Sequence, residues 1–266
     1  MTGGEQWAAA ELDRLRAAGF RPNAWWRFLD ESFGKAAEAR LARPALARQA
    51  RLWSASGLCA GIVACRSRRV RSPRCSRFAL WWIVTAAMLH WHLGMLEGPA
   101  GEPRDRLSSA DALTLLRIWS VPFIATQQAG PPFAAMIAAA GASDALDGIL
   151  ARRAGPTRLG RDLDTVADAM TTVAAARAAR RAGWLPAGPA RLVTARGAAP
   201  IAVVAASYFG SGQRPAADAF GTTRPLAPLL LAGLAASPIQ PRAGAALTAA
   251  ASLASLAIAW NTRSTT

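Results

Sequence analysis

The sequence predicts an all-α integral membrane protein, with a six-transmembrane-helix core and an additional N-terminal helical region. Three observations carry this. Hydrophobic residues make up 52% of the 266-residue chain, and several of their runs have helix length. Small residues, above all alanine, fill those runs and let helices approach closely in lipid. Finally, Asp144, Asp147, Asp164 and Asp168 are spaced by three and four residues, so each pair shares one face of a helix.

Charge narrows the class of partner. The formal net charge is +15 and comes almost wholly from arginine, since Lys35 is the only lysine. Such a balance suits nucleic acid or an anionic membrane surface. No nucleic-acid motif accompanies it, so membrane lipids are the expected partner and nucleic acid is excluded. The arginine and alanine bias also fits a GC-rich genome. Cys59, Cys65 and Cys75 lack C-x-x-C spacing, which argues against a zinc site or a disulfide framework. The first thirty residues are charged and contain no apolar stretch of the kind a cleavable signal needs.

Residues 1–51 read as amphipathic helix, with charges at three- and four-residue spacing. Trp25, Trp26 and Phe28 give this stretch an aromatic edge suited to a membrane interface or to the protein's own surface. Residues 52–65 are apolar but short for a span, and six arginines follow between Arg66 and Arg77. Residues 78–96 are long enough to cross a bilayer. His90 and His92 diverge on that helix, which favours an interfacial or packing role over a metal site. Residues 97–110 form a polar linker. The expected organisation is therefore an arginine-rich helical region (1–76), an extra apolar helix with its linker (77–110), the six-helix core (111–261) and a short tail (262–266).

Within the core, the first helix starts at Asp111 and carries Thr114 and Arg117 on its entry turn. The others are expected near 132–152, 161–180, 190–209, 225–237 and 243–260. The arginine distribution leaves residues 52–97 with two topologies. Either 78–96 does not span, or it pairs with 52–65 as a hairpin.

The segment from Asp144 to Asp168 holds the chemistry. Gly155 and Pro156 end one helix and leave a short turn before the next, so two helices each present two carboxylates near one level. Four carboxylates at the ends of membrane helices repel one another and need compensating charge. Their oxygens suit hard divalent cations such as Mg²⁺ or Mn²⁺. Gly148 and Ala151 leave a strip free of bulky side chains, where a ligand reaches the backbone. Arg152 beside it can donate to a phosphate oxygen, and Gly160 lets the second helix start close to the first.

The pattern D-x2-D-G-x2-A-R followed by G-x3-D-x3-D resembles the signature of the CDP-alcohol phosphatidyltransferases. It is carried by Asp144, Asp147, Gly148, Ala151, Arg152, Gly160, Asp164 and Asp168. The resemblance covers about residues 111–261. The turn between arginine and second glycine, residues 153–159, is shorter than the family's usual one. The expectation is that the turn absorbs the difference and all four aspartates face one cavity. Asp111 and Asp162 stand outside the motif spacing.

This resemblance implies an enzyme of phospholipid synthesis that moves a phosphatidyl group from a CDP-alcohol such as CDP-diacylglycerol to an acceptor hydroxyl, releasing CMP. It implies two divalent ions, Mg²⁺ or Mn²⁺, held by Asp144, Asp147, Asp164 and Asp168, with Asp168 also the general base. Gly148, Ala151, Arg152 and Gly160 would seat the CDP moiety. The segment ALTLLR with its following proline is most similar to the phosphatidylglycerophosphate synthase branch, which implies glycerol 3-phosphate as acceptor. Inositol phosphate and a phospholipid are the alternatives, and a non-catalytic scaffold or ion-binding membrane protein is the rival class. Arg117, Arg158, Arg161 and Arg196 are the candidates for an acceptor phosphate. The resemblance further implies a homodimer in a bacterial cell membrane, with its active site facing the cytoplasm.

Overall fold

The computed structural model describes residues 2–67, 73–155, 157–206, 209 and 226–264. Three of the six arginines of the 66–77 stretch, together with Pro156 and Pro225, lie outside the described residues. The described chain is helical throughout: α1 (Gly3–Ala17), α2 (Pro22–Ala42), α3 (Pro44–Arg66), α4 (Cys75–His92), α5 (Ser109–Thr126), α6 (Gly130–Ala154), α7 (Arg158–Arg181), α8 (Ala187–Ala206), α9 (Ala227–Ala236) and α10 (Pro241–Ser264).

Local chemistry sets the breaks. Pro22 and Pro44 each open a helix at the first turn, where a missing N–H costs nothing, so the amphipathic N-terminal stretch divides into three helices. That division also lengthens the apolar 52–65 stretch into a 23-residue helix, because the preceding residues join it. Thr2 caps α1 through a reciprocal pair with Glu5. Ser108 and Asp111 form the same pair at α5, which therefore begins two residues before Asp111. Gly155, at φ +82°, ends α6 in a conformation open to glycine.

Helices α5 to α10 form the core bundle. There α5 packs on α6 and α7, α7 on α8, and α10 on α8 and α9. Its interior is built from small side chains. Ala174, Ala175, Ala176, Ala178 and Ala179 of α7 are all buried, beside Val121, Ile124, Phe133, Ile137, Leu230 and Leu234. At the α9–α10 crossing a Cβ on Gly244 would stand 2.6 Å from the Ser237 Cα, so the backbones touch. Among the described residues, three helical segments are long and apolar enough to cross a membrane: Cys75–Met95, Gly130–Arg153 and Pro241–Ala259. Helix α9 is apolar but shorter.

The structure resolves residues 44–96 as a hairpin. Helices α3 and α4 run antiparallel, with Trp82 Nε1 donating to the Ser54 carbonyl at 2.7 Å. Gly57 lies under Trp82, and Gly61 lies under Phe78. At the open end, Arg43 donates to the carbonyls of Leu93, Leu96 and Arg104, each at 3.0 to 3.2 Å. At the closed end, Phe78 meets Trp119 and Phe123 in the second half of α5. The open end thus lies beside the start of α5, and the hairpin joins residues on both sides of position 76. His90 sits against Ser54, and His92 against the Met88 carbonyl, so the two rings serve separate contacts. Gly61→Val should break this packing, because a side chain there would overlap the Phe78 ring. Overpacking of this kind costs about 1–3 kcal/mol. A thermal transition lowered by several degrees is the expected readout, and an unchanged one would refute the contact.

Helix α2 buries two of its alanines and exposes several of its large residues. Ala24 and Ala36 face the protein, while Trp26, Phe33 and Leu41 are 72%, 52% and 82% exposed. Phe33 stacks on Trp91 at the end of α4, continuing the exposed apolar row Leu80, Val84 and Met88. That is the arrangement of a helix at a lipid surface, with its apolar face turned outward.

Candidate active site

Three helix ends build the site. Asp144 and Asp147 come from the last three turns of α6, Asp164 and Asp168 from the second and third turns of α7, and Thr114 and Arg117 from the second and third turns of α5. The close approach of α7 to α5 needs Gly160. A Cβ there would lie 2.8 Å from Asp111 Oδ1 and 2.9 Å from Thr157 Oγ1. Thr157 in turn caps α7 by accepting from the Gly160 N–H at 3.0 Å. Gly160 therefore sets how closely α7 lies against α5, where the sequence pointed only to α6.

All four aspartates converge on Arg117. Its Nη1 donates to Asp144 Oδ1 at 3.0 Å and Asp164 Oδ1 at 3.2 Å, and also to Asp168. Its Nη2 donates to Asp147, whose Oδ2 accepts a second bond from Thr114 Oγ1 at 3.2 Å. Arg117 is 3% exposed, so its guanidinium meets the carboxylates largely away from bulk solvent. One carboxylate oxygen from each of Asp144, Asp164 and Asp168 lies within 4.8 Å of the other two. One guanidinium against four carboxylates leaves a surplus of negative charge in a mostly buried place. An all-oxygen donor set of that charge fits a hard divalent cation.

The remaining sequence candidates divide into two groups. Gly148 lies under Arg152, whose Nη1 would stand 3.4 Å from a Cβ at that position. This sets the guanidinium over the bare strip formed with Ala151. Arg196, from α8, lines a cavity with Arg117, Asp144, Asp168, Thr171 and Thr172, and its Nε is buried without a partner among the described residues. Arg158 and Arg161 are turned elsewhere. Arg158 pairs with Glu97 at 3.2 Å, and Arg161 approaches Glu5 at 3.8 Å. Asp162 is half-exposed and pairs with Arg161, away from the aspartate cluster. Asp111 is occupied as the cap of α5.

The central place of Arg117 escaped the sequence reading, which set it at the entry turn among phosphate candidates. A signal existed: four acids needed a cation, and Thr114 and Arg117 are three residues apart on a neighbouring helix.

The profile of a protein family described as CDP-alcohol phosphatidyltransferase matches residues 107–261, more than half of the chain. The match begins just ahead of α5 and contains every aspartate of the cluster. No curated protein and no solved structure matches the chain.

Proposed function

We propose, from the premise that the chain belongs to the CDP-alcohol phosphatidyltransferase family, that it transfers a phosphatidyl group from CDP-diacylglycerol to glycerol 3-phosphate and releases CMP. The family establishes the transferase class, the CDP-alcohol donor and the membrane setting. The observation that carries the site assignment is the convergence of Asp144, Asp147, Asp164 and Asp168 from two helices onto one point. In this reading those four hold two divalent cations, Mg²⁺ or Mn²⁺. When bound, the cations neutralise the diphosphate and the departing CMP.

The chain's own residues do the rest. Gly148 and Ala151 let the cytidine end approach the α6 backbone, and Arg152 above them donates to a phosphate oxygen. Asp168 faces the cavity and takes the proton of the acceptor hydroxyl as its oxygen attacks phosphorus. The bond from phosphorus to the CMP oxygen breaks as the new phosphate ester forms. Arg196 is the arginine best placed to receive an acceptor phosphate, because it borders the cavity with an unpartnered Nε. The resemblance of the Ala112–Arg117 segment to the phosphatidylglycerophosphate synthase branch favours glycerol 3-phosphate over inositol phosphate or a phospholipid. In this arrangement α5 to α10 are six spans of a bacterial cell membrane, in a homodimer, with the aspartates toward the cytoplasm.

The test is CMP release from CDP-diacylglycerol by purified protein, with each of the three acceptors in turn. Release should require Mg²⁺ or Mn²⁺, stop on chelation and resume when the ion is restored. Glycerol 3-phosphate should give the highest rate. Full turnover in excess EDTA would sink the metal assignment, and a faster rate with another acceptor would replace the substrate.

A further inference from the structure

Three distant parts of the chain meet where α7 begins. Thr2 Oγ1 donates to Glu97 Oε1 at 2.6 Å, and Arg158 Nη1 donates to the same oxygen at 3.2 Å. The main chain repeats the link, since the Arg158 N–H donates to the Glu97 carbonyl at 3.0 Å. Glu5 Oε1 lies 3.9 Å from Arg158 Nε and 3.8 Å from Arg161 Nη2. Glu97 is only 8% exposed. The fit is tight: a Cβ on Gly4 would stand 3.1 Å from both Arg158 Nη1 and Glu97 Oε1. On the other side of the turn, a Cβ on Gly155 would stand 2.9 Å from Arg104 Nη2. Glu97 and the N-terminal helix both lie outside the family match, which starts at residue 107.

Helix α7 packs along α5 and α8, and two of its carboxylates pair with Arg117, but its link to α6 is thin. Only residues 155–157 join it to α6. Between Ala167 and Ala179 it buries nothing larger than threonine, so its inner face offers few side chains that resist sliding or rotation. Arg158 precedes Asp164 by six residues, less than two helical turns, and a helix passes a shift at one end to the other nearly rigidly.

We propose that Glu97, with Thr2 and Glu5, forms a brace on Arg158 that fixes the axial and rotational setting of α7. Through it, these positioning residues set the distance of Asp164 and Asp168 from Asp144 and Asp147. The N-terminal region is then part of the frame of the site. The Glu5 carboxyl is suited to the task. The Thr2 backbone N–H holds it below the usual carboxylate range against the opposing effect of burial, and Arg158 and Arg161 lower it further, so it is ionised at neutral pH. The brace contributes to function through the proposed role of the aspartates as ion ligands.

The test uses the intact protein in lipid nanodiscs, with Glu97→Gln, the milder Glu5→Gln and the exposed control Glu38→Gln, whose only ion pair among the described residues is with Lys35. Free Mn²⁺ is followed by electron paramagnetic resonance, and amide exchange is followed over residues 158–163. Glu97→Gln should weaken Mn²⁺ binding by about 10-fold, the lower end of what loss of a supporting residue does to a metal site. It should also lower kcat at unchanged KM for CDP-diacylglycerol and speed exchange of the 158–163 amides. Glu5→Gln should do the same to a smaller degree, and the control should match wild type. The charge-reversed pair Glu97→Arg with Arg158→Glu should recover part of the Mn²⁺ affinity. A folded Glu97→Gln protein with Mn²⁺ affinity within twofold of wild type and unchanged amide exchange overturns the brace. Wild-type protein that binds no Mn²⁺ overturns the ion-ligand reading instead. Amide exchange alone then decides the brace, which stands if the Glu97→Gln amides exchange faster and falls if they do not.

Discussion

Asp164→Asn should lower CMP release by about 10²–10³-fold, the scale seen when a group that stabilises transition-state charge is removed. Asp162→Asn, two residues earlier, should stay within about threefold of wild type, as a surface substitution away from any special feature does. The contrast follows from helix geometry. Two residues along a helix turn a side chain by roughly 200°, so Asp162 and Asp164 leave opposite sides of α7. Asp164 is one of four carboxylates around the buried Arg117. Asp162 is half-exposed and pairs with Arg161. Since Asn preserves shape and removes charge, both variants should fold alike, which circular dichroism checks. Equal losses would mean that the wrong face of α7 had been assigned to the site.

Arg117→Leu should destabilise the protein by about 3 kcal/mol, within the range for removing one partner of a buried ion cluster. The side chain is almost fully buried, and the leucine would leave four carboxylates facing one another with no cation between them. Activity should fall with stability. The informative measurement is the thermal transition with and without Mg²⁺. A divalent cation supplies the missing positive charge, so Mg²⁺ should raise the transition of Arg117→Leu more than that of wild type. A leucine variant as stable as wild type in EDTA would show that Arg117 does not compensate the aspartates.

What the sequence made legible was local. Asp144 with Asp147, and Asp164 with Asp168, share helix faces by spacing alone, and the structure brings the two faces together across the 155–157 turn. The helix starts at Pro22 and Pro44 are also set within a turn, yet the sequence reading left them unmarked. It began the first core helix at Asp111, where the Ser108 cap starts α5 two residues earlier. The α3–α4 hairpin was one of two open topologies because hydropathy is blind to pairing. A finer signal was present, since Gly57 and Gly61 are four apart and meet Trp82 and Phe78, also four apart. For Arg117 the need for a cation among four acids was legible but not its place, and the junction of Thr2, Glu97 and Arg158 was out of reach. Their partners lie 27 to 95 residues away, and no periodicity links residues at such separations.

The alanine face of α7 makes that helix resemble a plain shaft turning in bearings. One bearing is the junction at Arg158. The other is the turn after Arg181, where Gly183 takes φ +79° and Trp184 packs on Phe133 at 5.3 Å. A shaft of this kind is insensitive to small changes along its length and sensitive to wear at its supports. Substitutions among alanine, serine and glycine from residue 174 to 179 should then be absorbed with little change in turnover. Damage at Gly183 or Trp184, remote from every aspartate, would let the carboxylates drift out of register with those of α6.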